Sequence, residues 1–250
     1  MKASSWDTRI ARAQELAQNH PAAAEILHFY SGIARLQKTV YDDLKAAPKN
    51  LDKSLLDPHF AALLSLVMRT APRSLADAAE QLARAGNTFQ QLMVNHWEAA
   101  ADETYLFFAR ALLQPYTELL ASRSDISLGD TPSTCPFCGE RPVAGVLRGE
   151  GEGGKRSLIC SLCSIEWEYR RILCPGCGEE AVDKLPVYSA GQFEHVRVEA
   201  CDTCRTYIKS IDLTRNGLAV PIVDELATVP LNIWAEEHGY TKLQPNLLGM

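Results

Sequence analysis

The sequence contains eight cysteines, and all of them fall in four C-x2-C pairs. The pairs are Cys135 and Cys138, Cys160 and Cys163, Cys174 and Cys177, and Cys201 and Cys204. Two residues between cysteines let the backbone form a knuckle that directs both sulfur atoms at one ion. Two knuckles then supply the four soft ligands of a tetrahedral site. The spacing therefore predicts two metal ions, each bound by four cysteines, with all eight residues as ligands.

The order of the pairs indicates which of them share an ion. The first and third pairs read CPFCGE and CPGCGE, whereas the second and fourth, CSLCSIEW and CDTCRTY, lack that glycine and are followed by an aromatic residue. Twenty-one residues separate the first pair from the second and twenty-three the third from the fourth, but only ten lie between the second and the third. We therefore predict that consecutive pairs share an ion. An interleaved arrangement, first with third and second with fourth, stays open.

The ligand type limits the metal and its role. Four thiolates suit zinc, and they also suit a single iron ion of the rubredoxin type. Such a site is closed, because it leaves no coordination position for water or substrate. We find no flanking histidine or carboxylate set that would complete a catalytic site, and we interpret His195 as a surface residue. The sequence therefore predicts iron or zinc in a non-catalytic role, in a protein that is not an enzyme.

Composition and charge narrow the classes of partner. The 250 residues carry a formal net charge of −6, which disfavours non-specific binding to nucleic acids or anionic membranes. We see no export signal, and the longest apolar run, Phe60 to Met68, is far shorter than the roughly 20 residues of a membrane-crossing helix. We expect a cytoplasmic protein without membrane insertion. A reducing compartment favours metal binding by cysteines over disulfides.

Residues 1–125 have the spacing of amphipathic helices, which predicts a helical domain. Asp7 is the expected cap of a first helix, Pro21 opens a second, Phe60 lies in a third, and Ser74 is near the start of a fourth. The longest periodic segment runs from about Thr88 to Ala121. Its predicted buried side comprises Leu92, Met93, Trp97, Ala100, Phe107, Phe108, Ala111, Leu112, Tyr116 and Leu119. Three isolated histidines are interpreted as core or surface residues, not ligands: His28, His59 and His96.

The remaining residues change to short β-like stretches between glycines and prolines. Three stretches predict strands: Val143 to Leu147, Val196 to Glu199 and Tyr207 to Ile211. We predict a first tetracysteine ribbon over 126–172, a second over 173–215, and a C-terminal helix and tail over 216–250, with the helix around Leu231 to His238. The expected fold class is α+β: an N-terminal helical bundle, two tandem rubredoxin-like or zinc-ribbon metal-binding modules, and a C-terminal helix.

Four segments carry a family resemblance: TCPFCGERPVAGVLR, RSLICSLCSIEWEYRRILCPGCG, EACDTCRTYIKSIDL and DELATVPLNIWAEEHGY. They resemble the formate dehydrogenase accessory protein family, FdhE, from about Thr134 to the C-terminus. The resemblance is specific there because general zinc ribbons share neither the EW after the second pair nor the closing helix. It implies a cytoplasmic assembly factor that binds the molybdenum- or tungsten-containing catalytic subunit of respiratory formate dehydrogenase, and it implies iron in rubredoxin-like sites.

Other functions for the cysteine region stay open. A nucleic-acid-binding ribbon is disfavoured, since Leu128 to Arg215 contains 11 basic and 13 acidic residues. A rubredoxin-like electron carrier requires iron in at least one site. A thiol–disulfide enzyme is disfavoured, because a thioredoxin-like site has a single pair at the start of a helix.

Overall fold

Helices cover both faces of one mixed sheet in this protein. The computed structural model describes residues 5–47, 51–94, 103–125, 132–150 and 153–250. N-terminal helices pack on one face of the sheet and the last C-terminal helix packs on the other, while the C-terminal helix before it also packs against the first two N-terminal helices. The predicted α+β fold class is confirmed. Within the described residues, no helix combines the length and apolar composition that crossing a membrane requires.

The N-terminal helices lie close to their predicted positions. They are α1 Ser5–Asn19, α2 Ala24–Ala46, α3 Asp57–Thr70, α4 Arg73–Arg84, α5 Phe89–Leu92 and α6 Glu103–Ser122. Pro21 begins a short 3-10 turn ahead of α2, where the missing amide of proline costs no helical hydrogen bond. The prediction that Asp7 caps the first helix is wrong. Asp7 lies in the first turn of α1, where its carboxylate accepts a hydrogen bond from Lys38 of α2.

One large apolar cluster joins these helices to the sheet. Phe60, Phe108 and Leu112 are buried in it, and so are Leu158 and Ile208 of the sheet. The predicted core of the helices therefore also packs against one face of the sheet. Of the three histidines, His28 is exposed and His59 is half-buried beside Asp43. His96, Trp97 and Ala100 lie outside the described residues.

The strands of the two predicted ribbons form a single sheet. They are β1 Pro142–Glu150, β2 Gly153–Cys160, β3 Glu166–Glu168, β4 Val187–Ser189, β5 Val196–Ala200, β6 Thr206–Asp212 and β7 Thr241–Lys242. The order is β3-β2-β1-β6-β5-β4, with β7 beside β6. The hairpin β1–β2 and the pair β5–β6 are antiparallel, while β1 and β6 run parallel, with Ala144 opposite Lys209. This parallel pairing joins the ribbons, and the division at residues 125, 172 and 215 stays a prediction.

The C-terminal helix of the sequence analysis is two helices. Helix α7 covers Pro221–Ala227 and α8 covers Val229–Glu237, each with a proline in its first turn. Thr228 lies between them with a non-helical ψ of 44°. The predicted helix around residues 231–238 corresponds to α8, and α7 was missed because it is only seven residues long.

A buried cluster of charges joins β6, α7 and β7. The carboxylate of Glu225 lies 2.9 Å from the ammonium of Lys209 and 2.5 Å from that of Lys242. The side chains of Glu225 and Lys209 are 0% exposed. Burial alone would raise the pKa of Glu225, but the two ammonium groups lower it to about 2. Asn246 of the C-terminal tail donates a further hydrogen bond to Glu225. The cluster therefore fixes the tail and α7 to the sheet.

Replacing Glu225 with glutamine leaves two buried ammonium groups without their counter-charge. We expect the free energy of unfolding to fall by roughly 3–5 kcal/mol at neutral pH, measured by urea unfolding. Glu237→Gln, at an exposed position of α8, is the control and should change stability by less than about 0.5 kcal/mol.

The effect of the Glu225→Gln substitution should depend on pH in one direction. The folded pKa of Glu225, about 2, lies below its ordinary value of 4.5, so its stabilisation is present above pH 4.5 and is lost as the pH falls towards 2. The difference between wild type and variant should shrink over that window. A difference that grows there would contradict the assignment.

Candidate metal centres

Each C-x2-C pair forms a tight turn closed by backbone hydrogen bonds. The amide of Gly139 donates to the carbonyl of Cys135, and that of Gly178 to the carbonyl of Cys174, both at 2.9 Å. Both glycines have a positive φ, +78° and +79°, a conformation that glycine adopts without strain. The sequence CP-x-CG therefore produces the knuckle locally, as its glycine predicts.

The second and fourth pairs adopt a similar turn without glycine. Ser164 and Arg205 take its place with φ values of +56° and +57°, a conformation that costs roughly 1–2 kcal/mol for other residues. Contacts of their own side chains offset this strain. The Ser164 hydroxyl donates to Glu118 of α6 at 2.6 Å, and Arg205 donates to the carbonyl of His238 at 2.6 Å at the end of α8. Sequence reasoning missed both residues, because only the tertiary contacts show what stabilises the turn.

The structure brings the cysteines together as two groups of four. The first is Cys135, Cys138, Cys160 and Cys163, and the second is Cys174, Cys177, Cys201 and Cys204. Within each group all sulfur atoms lie within 4.8 Å of one another. The grouping is consecutive, because β1 pairs with β2 and β4 with β5, so each antiparallel pair returns the second knuckle of its group to the first. The interleaved alternative does not occur.

The sulfur–sulfur distances fit a tetrahedral ion. They are 3.4, 3.5 and 3.7 Å for three contacts of the first group and 3.7 Å for two contacts of the second. Four sulfurs placed about 2.3 Å from a zinc ion are separated by about 3.8 Å. A disulfide needs about 2.0 Å, and all eight cysteines are free. The donor set and spacing could therefore hold one metal ion in each group.

Crowding separates the pKa values of the thiols. Hydrogen bonds from its three neighbours lower the pKa of Cys135, while the contact with Cys135 raises the pKa of Cys163. In the second group, burial raises the pKa of Cys174 to about 12. Burial acts in the same direction on Cys204, but hydrogen bonds from Thr206, Cys177 and Cys201 together outweigh it and lower that pKa to about 7. A cation among the sulfurs would stabilise all four as thiolates.

Helix α6 holds the first group against the helical layer. Gln114 donates to the carbonyl of Ser161 at 2.9 Å, and Thr117 donates to the carbonyl of Leu162 at 3.3 Å. Arg110 forms an ion pair with Glu140, beside the first knuckle. These α6 residues are spaced by four and three positions, so they share one face of the helix. Cys135, Cys160 and Cys163 belong to the same apolar cluster as the helices.

Polar contacts surround the second group instead. Glu179 accepts a hydrogen bond from Thr203 at 2.6 Å and so joins the two knuckles. Asp202 accepts one from the hydroxyl of Tyr240 at 2.6 Å, after α8. Cys177 is exposed, unlike any cysteine of the first group. The two groups therefore share backbone geometry but not surroundings.

Other residues near the cysteines serve the fold. Arg148 and Glu166 form a two-pronged ion pair between β1 and β3, and Trp167 is buried. His195 is half-buried and not at the surface, and its ring nitrogen lies 2.8 Å from Asp224, away from both cysteine groups. A cleft of about 630 Å³ lies between the helices and the C-terminal tail, and no cysteine lines it.

The fold and the two groups define an α+β protein with paired tetracysteine centres, and comparison with known proteins agrees. The family model "FdhE, central domain" matches residues 134–171, and "FdhE, C-terminal domain" matches residues 172–248. A protein FdhE homolog from Pseudomonas aeruginosa is 30% identical, over 95% of this chain and 87% of the relative. One from Aquifex aeolicus is 26% identical, over 95% of this chain and 93% of the relative.

A solved structure extends the likeness to the whole fold. The crystal structure of the FdhE protein from Pseudomonas aeruginosa superposes with a TM-score of 0.77 at 26% identity, covering 99% of this chain and 97% of that one. This chain belongs to the FdhE family. The resemblance seen from about Thr134 onwards is confirmed, and the similarity also includes the N-terminal helices.

Cys135→Ser and Cys174→Ser each remove one sulfur from one group. Because the first group is part of the helical core, we expect Cys135→Ser to lower the thermal unfolding midpoint of the helices by roughly 5 °C more than Cys174→Ser. Circular dichroism of the two variants, compared with the wild type, measures this. Equal shifts would show that the helices depend no more on the first group than on the second.

Proposed function

We propose that this protein is an accessory factor for formate dehydrogenase. It binds the catalytic subunit of that enzyme and is needed for its maturation or activity. Membership of the FdhE family carries the proposal, and conservation of the whole fold supports it. The protein then acts by binding, in the cytoplasm, and is not itself an enzyme.

The proposal includes two metal ions, each bound by four cysteines. Cys135, Cys138, Cys160 and Cys163 hold the first, and Cys174, Cys177, Cys201 and Cys204 hold the second. The distances between sulfur atoms and the all-thiolate donor set support iron or zinc. Four protein ligands complete a tetrahedron, so each ion fixes the ends of a hairpin and keeps the surrounding surface rigid.

The number and identity of the bound metal ions test the metal assignment and distinguish it from the electron-carrier alternative. Protein purified without oxygen should contain two ions per chain by elemental analysis, and Cys135→Ser or Cys174→Ser should contain one. Zinc would exclude the electron-carrier alternative. Iron with a reversible visible absorption change would favour it. Fewer than two ions in the wild type would contradict the metal assignment.

Partner binding is tested with the purified catalytic subunit. The full tagged chain should retain the subunit on a column, and the exposed-site variant Glu237→Gln should retain it equally well. Deleting the gene should reduce formate oxidation, and the wild-type gene should restore it. Absence of binding, together with normal formate oxidation in the deletion strain, would exclude the accessory role.

A further inference from the structure

The two cysteine groups differ in the residues that lie inside their knuckles. In the first knuckle of the first group, Phe137 is half-buried and packs against the helical core. The equivalent residue of the second group is Gly176, which is exposed. In the following knuckles the contrast repeats, with Leu162 5% exposed in the first group and Thr203 exposed in the second. Apolar side chains therefore lie inside both knuckles of the first group, whereas in the second group they are absent from these positions and Cys177 is exposed.

The packing around Gly176 leaves little room for a side chain. A Cβ atom there would lie 2.9 Å from the hydroxyl of Thr206 and 3.4 Å from the sulfur of Cys204. A side chain at this position would require Thr206 or Leu243 to shift, so the packing favours glycine there.

Space beside the sulfurs differs as well. A cavity of about 60 Å³ adjoins the second group and is lined by Cys174 and Cys201. The cavity that touches the first group, at Cys160, has about 20 Å³. A single water needs about 10–15 Å³ by this measure, so the smaller cavity holds about one water and the larger holds several.

The larger cavity carries a positive lining. Arg156, Arg171 and Arg197 line it, and the only acid among its lining residues is Glu199. Glu199 accepts hydrogen bonds from Arg197 and forms an ion pair with Arg156. Arg171 is exposed and has no ion pair within the described part of the chain. Apart from its two cysteines, the lining therefore carries a net positive charge, which favours an anionic ligand in this cavity.

We propose that the second group exchanges its metal ion with anionic chelating ligands, thiolates or carboxylates, while the first group retains its ion as part of the core. Cys174, Cys177, Cys201 and Cys204 would hold the ion, and an incoming ligand would replace one of these sulfurs as a donor to it. Exposed Cys177 can detach without disturbing the core, and the arginine-lined cavity admits the ligand. The inference rests on both groups binding ions, as proposed above.

Chelation kinetics of the full chain loaded with two zinc ions test this division. With excess EDTA, one ion should leave at least about tenfold faster than the other, equivalent to about 1.4 kcal/mol in barrier. Cys174→Ser should retain only the slow phase and Cys135→Ser only the fast one. Two ions leaving at one rate, or phases assigned the other way round, would overturn the proposal.

Removing the apolar side chain inside the first knuckle tests whether that side chain slows metal release from the first group. Phe137→Gly gives it the sequence of the second knuckle, CPGC, and should speed the slow phase about tenfold with both ions still bound at the start. This variant keeps all eight cysteines, so it remains informative if Cys135→Ser does not fold. An unchanged slow phase would show that Phe137 is not the barrier.

A charge substitution at Arg171 tests whether the positive lining of the cavity speeds metal release to anionic chelators. Arg171→Gln should slow release to anionic EDTA about threefold and leave release to neutral phenanthroline unchanged. Arg35→Gln, at an exposed position of α2, makes the same change in net charge away from the cavity and should alter neither rate. Equal slowing with both chelators would remove the electrostatic part of the proposal.

These results are distinguishable from failure of the proposed function. If the wild type binds two ions that leave together, the exchange inference fails and the accessory role stands. If it binds fewer than two ions, the metal assignment fails. Binding of the formate dehydrogenase subunit is measured separately, so the partner assignment is tested by neither result.

Discussion

Four sulfur atoms packed within 4.8 Å of one another are the constraint on which the C-terminal half depends. As thiolates at about 3.5 Å they would repel one another by on the order of 5 kcal/mol per pair at an effective dielectric constant of about 20. As thiols they would occupy an interior that gives them few partners other than each other. A cation relieves both problems, because it balances the charge and satisfies the sulfur lone pairs. The knuckles, hairpins and flanking contacts hold the sulfurs where such an ion would bind.

The two groups are mechanically connected through the sheet. The parallel pairing of β1 with β6 joins the hairpins that carry them, and buried Arg156 of β2 reaches Glu199 of β5 across this junction. Arg156 also donates to the carbonyls of Arg170 and Leu173, in the segment between the groups. Because these contacts are buried, loss of order in one ribbon is expected to affect the other. A binding surface made from both ribbons would then respond as one unit.

The contrast between the two groups lies in their neighbours and not in their backbone turns. The backbone turns of the two groups have similar hydrogen bonds and similar φ values, so both groups present four sulfurs in a similar arrangement. What differs is the neighbour: α6 and the helical core beside the first group, polar residues and solvent beside the second. The first group is therefore part of a hydrophobic core, and the second group has an accessible face.

The sequence by itself determined the local chemistry: the eight cysteines, their arrangement in four knuckles and most of the helices, while strand pairing decided between consecutive and interleaved grouping. These follow from spacing over a few residues, where local geometry decides the outcome. Only the tertiary structure decided that β1 and β6 pair in parallel, that Ser164 and Arg205 take left-handed turns, and that Lys209, Glu225 and Lys242 form a buried cluster. It also decided that Cys177 of the second group is exposed, while every cysteine of the first group is buried or half-buried. These features join residues tens of positions apart, and their stability comes from burial and charge pairing that no local spacing records.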